Sequence, residues 1–108
     1  MSIYLTRACY TQEAFQGMIG KPEDREGIAK AMFDAAGMKL HHIWYSGNGE
    51  VICVLEGNAV SGATVGMVVM ASGAFDSVDS TELITMSQMV EAMKNAGTVA
   101  AKFRPPGK

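Results

Sequence analysis

The sequence predicts an α+β domain built on one antiparallel sheet, and three features carry that expectation. Two apolar, β-prone runs, Lys39 to Ser46 and Glu50 to Glu56, flank a Gly47-Asn48-Gly49 turn and read as a β-hairpin. Helical patterns bracket the hairpin: Ile28, Ala31, Met32 and Ala35 repeat before it, and a wholly apolar segment from Ala59 to about Ser72 follows it. Strand-like runs, Ile3 to Tyr10 and Ser77 to Met86, lie outside those helices. The order is β-α-β-β-α-β with a further helix, the split βαβ pattern of a ferredoxin-like fold. With 108 residues the chain suits a single domain. It divides into a ferredoxin-like domain over 1–97 and a C-terminal arm or tail over 98–108.

Each element has its own signals. In the first strand, Ile3, Leu5, Arg7 and Cys9 share one face and Tyr4, Thr6, Ala8 and Tyr10 the other. Thr11 is a suitable N-cap, and Phe15, Met18 and Ile19 give the next segment an apolar stripe. Gly20-Lys21-Pro22 interrupts it, Pro22 suits the start of a helix, and Gly37 suits its end. Thr11 to Ala36 is therefore expected as a kinked or two-piece helix. Strict alternation puts Leu40, His42 and Trp44 on one face of the second strand and His41, Ile43 and Tyr45 on the other. An Asn48-Gly49 turn of type I′ requires positive φ at both central residues. The third strand is apolar on both faces, as suits an interior strand.

Asn58 caps the apolar helix and Gly73 ends it. A helix apolar all round exceeds what so small a domain can bury. Gly62 and Gly66, four apart, permit close backbone approach. An oligomer contact follows as one reading and a tightly packed core helix as the other. Ser87 is a cap for a short last helix with Met89, Val90 and Met93 on its apolar side, stopped at Gly97. Thr98 to Phe103 reads as a small strand or an arm.

Composition excludes several functions. A net charge of −2 gives no basic footprint for nucleic acid or anionic membranes. The N-terminal residues lack a signal-peptide pattern, and Ala59 to Ala71 is too short to span a bilayer. A cytoplasmic protein is expected. Two separated cysteines, Cys9 and Cys53, make neither a disulfide scaffold nor a zinc motif. No cofactor motif is present: there is no Gly-x-Ser-x-Gly elbow and no glycine-rich phosphate loop between strand and helix. The nine methionines read as soft packing.

A few residues are candidates for chemistry. His42, between Leu40 and Trp44, is the candidate acid/base, a role to weigh against a core or rim histidine bonded to backbone. Histidine without nearby carboxylates at ligand spacing points to no metal site. Arg7 is a charge in a mostly apolar strand and calls for a partner, with Glu82 on the last strand the candidate. The alternative is an anion-binding arginine. Tyr4, Tyr10 and Tyr45 are possible hydroxyl donors, and Arg7, Trp44, Tyr45 and Glu82 are the candidate ligand contacts. Glu50 reads as a solvated carboxylate at a strand end. A Cys53–His42 nucleophile pair is conceivable, without a visible third group.

Several stretches resemble the GYD domain family. They are Tyr4-Leu5 and Tyr10-Thr11, Pro22-Glu23-Asp24-Arg25, Gly37, Trp44-Tyr45 with Gly47, Val78-Asp79-Ser80-Thr81-Glu82-Leu83, and Met86-Ser87. The resemblance spans roughly residues 3 to 93. It departs at the name-giving Gly-Tyr-Asp, where Asn48-Gly49-Glu50 stands, and at Asp79, where the family usually has arginine. The resemblance implies a dimeric α+β barrel, in which a second subunit buries the open face of the sheet. The expected function is binding of a small apolar or aromatic molecule in a pocket between sheet and helices, by a homodimer or higher oligomer. The alternatives are a cofactor-independent monooxygenase or isomerase of the same barrel type, by fold analogy alone, and a structural assembly protein.

Overall fold

A computed structural model describes all 108 residues, Met1 to Lys108. The strands are β1 (Ser2–Tyr10), β2 (Lys39–Tyr45), β3 (Glu50–Gly57) and β4 (Phe75–Leu83); the helices are α1 (Gln12–Gly20), α2 (Arg25–Ala35), α3 (Ala59–Ala71) and α4 (Met86–Ala100). The strands form one antiparallel sheet in the order β2-β3-β1-β4. Four antiparallel strands and four helices make an α+β domain compatible with the ferredoxin-like pattern.

Local chemistry explains most boundaries. Thr11 caps α1, its hydroxyl accepting from the Ala14 amide at 3.1 Å. The expected two-piece helix is two separate helices. Asp24 caps α2 by accepting from the Glu26 amide at 2.9 Å, so Pro22 lies in the linker before the helix. Gly37, with φ +79°, turns the chain from α2 into β2. Asn58 caps α3 by accepting from the Ser61 amide at 2.8 Å.

The hairpin departs from expectation in two places. Its turn is not type I′: Gly49 has φ +92°, but Asn48 has no positive φ. The Gly49 amide donates to the Ser46 carbonyl at 3.0 Å, and the Ser46 amide to the Glu50 carbonyl at 2.8 Å. This is a three-residue loop in which left-handed Gly49 forms the bulge. The second departure is a register shift between Leu40 and His42. Leu40 pairs with Leu55 and His42 with Val54, so His41 is the extra residue. The bulge moves Leu40 to the face of Ile43 and Tyr45, and leaves His42 and Trp44 on the opposite face.

Three further expectations fail at the C-terminal end. β4 runs from Phe75 to Leu83, two residues earlier than predicted at its start and three at its end. The last helix is capped by Thr85 rather than Ser87, through a reciprocal box: the Gln88 amide donates to Thr85 Oγ1 at 3.0 Å and the Thr85 amide to Gln88 Oε1 at 2.9 Å. It then continues through Gly97 to Ala100, so Thr98 to Phe103 is helix end and turn, not strand. A helix-interior glycine costs only about 1 kcal/mol, which the surrounding alanines and methionines outweigh.

The helices cover one face of the sheet. α2 packs on β2 and α3 on β4, while the two helices make few contacts with each other beyond the shared core around Phe33 and Val65. The core is small: Phe33, Met38, Cys53, Leu55 and Val65 form its buried cluster. α4 has no packing partner within the chain, and every one of its residues is exposed. It gives the molecule a radius of gyration of 18.1 Å, where a compact domain of this length has about 13 Å. No helix is long and apolar enough to cross a membrane.

Candidate ligand cavity

Because α2 and α3 are not closely packed along their length, part of β1 and β3 is left without a roof between them. The result is a half-open cavity of about 560 Å³. Its floor is the Tyr4, Thr6, Ala8 and Tyr10 face of β1 with Cys53 and Leu55 of β3 and Val78 and Ser80 of β4. Ile28, Ala29, Met32 and Phe33 make one wall; Gly62, Ala63, Val65, Gly66 and Val69 make the other. Gly62, Ala63 and Gly66 on α3, facing Ala29 on α2, leave the volume unfilled.

Few polar groups reach this space. Thr6 Oγ1 and Ser80 Oγ share a hydrogen bond of 2.6 Å across the floor. At one end Tyr10 stacks on Phe75, with centroids 4.8 Å apart, and meets the edge of Phe15 at 5.6 Å. Burial raises the Tyr10 hydroxyl above its usual pKa, against a smaller opposing pull from the Arg25 guanidinium. The hydroxyl is therefore a hydrogen-bond donor at neutral pH. The lining suits a small apolar or aromatic body with one or two polar atoms.

Cys53 lies in the cavity floor, and burial pushes its thiol up to about 11. His42 projects from the other face of the sheet, so the pairing with Cys53 does not form. The folded pKa is raised, so the neutral thiol favours folding fully below pH 9, and this contribution is lost as pH rises through about 11. At pH 8 an aromatic disulfide reagent is expected to leave buried Cys53 unreacted in the native chain and to titrate both thiols after denaturation. Rapid native titration of both would contradict this burial.

The expected site residues lie elsewhere. His42 and Trp44 stack at 4.7 Å, nearly parallel, on the open face, and Trp44 is 57% exposed. Tyr45 and Trp44 line a shallow hollow between α1 and the hairpin. Arg7 does not pair with Glu82. Arg7 is opposite Asp79 and Glu82 is opposite Tyr4, an odd offset that puts the two side chains on different faces. The partner is Glu50, whose Oε1 accepts from Arg7 Nη1 at 3.4 Å; its Oε2 is 4.0 Å from Cys9 Sγ. Glu50 is thus a tethered carboxylate, with its side chain only 19% exposed, and not a solvated one. Cross-strand register, with Cys9 opposite Glu50, makes the contact. His41 also meets a carboxylate, Glu56 Oε1, at 2.8 Å.

The open face therefore carries two separated polar pairs and one stacked aromatic pair around Ile3, Leu5, Ile52 and Val54. Of the residues singled out from sequence, Tyr4, Tyr10 and Cys53 do line the cavity, and the alternation of β1 groups Tyr4, Thr6, Ala8 and Tyr10 on one face. What alternation cannot show is which face the helices cover. No protein-family model and no curated protein matches the chain.

Proposed function

We propose that the protein binds a small apolar or aromatic molecule in the cavity between α2, α3 and the sheet. The supporting observation is a concave, largely apolar space of about 560 Å³ with a few convergent hydroxyls and Arg25 at its edge. That size falls within the usual range for small-molecule sites, roughly 300–1,000 Å³. Binding is by burial of an apolar body against Tyr4, Met32, Leu55 and Val69, with Thr6, Ser80 and Tyr10 orienting polar atoms.

We further propose a GYD-like, dimeric α+β barrel acting in the cytoplasm. A second copy covers the open face of the sheet, where half-buried Ile3, Leu5, Ile52 and Val54 are ringed by Arg7, Glu50, His41 and Glu56. An apolar centre with a paired polar rim is the composition of a protein–protein contact.

The test is a melting screen against a panel of metabolites. An apolar or aromatic ligand at a hundred times its Kd adds about 2.7 kcal/mol, a rise in Tm of about 10 °C or more for a domain of this size. If only highly charged, hydrophilic compounds raise the Tm, or none does, the reading fails.

A further inference from the structure

The cavity is open along its top, and the chain carries a helix that has nothing to pack on. α4 presents Met86, Met89, Val90, Met93, Ala96 and Ala100 as one apolar stripe, with Ser87, Glu91, Lys94, Asn95 and Thr98 opposite. The whole stripe is exposed. The groove above the cavity is bordered by further exposed apolar side chains, Ile28 on α2 and Val68 on α3. We propose that α4 of a second copy lies along this groove, and that the first copy's α4 does the same in return. Each cavity is then roofed by its neighbour.

Three observations favour a second copy over the chain's own helix or another partner. Only Ile84 and Thr85 separate β4 from α4, and the Thr85–Gln88 capping box fixes the direction in which the helix leaves. α3 packs on β4 and therefore stands between the root of α4 and the chain's own groove. The surfaces also match in size of residue. A Cβ added at Gly62 or Gly66 would meet nothing within 4 Å, so a helix backbone can approach α3 closely there. Ala92, Ala96 and Ala100 form a row of small residues on α4 at the same four-residue spacing. Small residues on both sides permit interaxial distances near 8 Å, the low end of helix packing.

The size is sufficient for a symmetric exchange. A 15-residue helix is about 22 Å long and 10–12 Å across. Two reciprocal contacts, counted on helix and groove, hide on the order of 1,000 Å², the lower limit for a specific interface. The exchange is read from the protein alone and does not depend on what the cavity holds.

The test uses the full chain without ligand. Met93→p-benzoylphenylalanine, in a mixture of ¹⁴N- and ¹⁵N-labelled copies, is irradiated and the cross-linked peptides are mapped by mass. Mixed-isotope links from α4 to α2 or α3 are expected. Links confined to one chain, links to α4 or to the sheet of another copy, or no links would overturn the proposal. As a second measurement, Met89→Glu with Met93→Glu leaves the fold intact, because every residue of α4 is exposed and none belongs to the core, and is expected to weaken self-association at least tenfold in sedimentation. Sedimentation identical to that of the unchanged chain would also overturn it.

Discussion

Phe33→Ala is expected to remove about 3–5 kcal/mol of stability. Phe33 is 5% exposed and packs with Met38, Cys53, Leu55 and Val65. Only 7 of 108 residues are buried, so no second core exists to compensate. The ring also walls the existing cavity, so its removal enlarges an unfilled space. Native domains have about 5–15 kcal/mol in all, and the variant is left near or below half-folded at physiological temperature. Urea unfolding checks this: the midpoint falls sharply and the slope stays the same. A loss under 1 kcal/mol would mean that the core lies elsewhere.

Leu5→Asp is expected to break the proposed sheet-to-sheet contact while leaving the protomer folded. Leu5 sits at the centre of the open face, between Val54 on β3 and Thr81 on β4. The one cation on its strand, Arg7, is already held by Glu50. In the protomer the side chain is half-exposed and a carboxylate there stays hydrated. In a two-fold interface the substitution occurs twice and buries two unpaired charges. At about 2 kcal/mol or more each, the Kd weakens by roughly a thousandfold. Sedimentation at graded concentrations, with far-UV circular dichroism as the fold control, measures both. Leu5→Val is expected to keep the dimer.

Local structure was legible where a single residue decides it. Thr11 and Asn58 cap helices as their side chains require, and Gly37 and Gly73 turn out of helices with positive φ. Element order followed from the periodicities. Register did not. The bulge at His41 reverses the face of Leu40, and no local signal marks it. The partner of Arg7 depends on which residues lie opposite Cys9 and Arg7, a matter of pairing between distant strands. For the same reason the rare residues of the hairpin, His42 and Trp44, drew attention that belongs to Tyr4, Thr6, Tyr10 and Ser80. Alternation groups those side chains, but only the placement of α2 and α3 makes them a cavity. Gly97 carries the local signal of a helix stop, yet the three residues past it remain helical.

Under the proposed function, ligands enter the helix-covered side of the sheet. A fluorescence titration with N-phenyl-1-naphthylamine, an uncharged aromatic probe, addresses it directly in three proteins: the unchanged chain, Ala63→Trp and His42→Ala. Ala63 borders the cavity on its exposed side, so a tryptophan there fills the space without entering the core. Saturable binding of one probe per chain is expected, lost in Ala63→Trp and kept in His42→Ala. Binding that survives Ala63→Trp but disappears in His42→Ala would place the site on the open face and contradict the account.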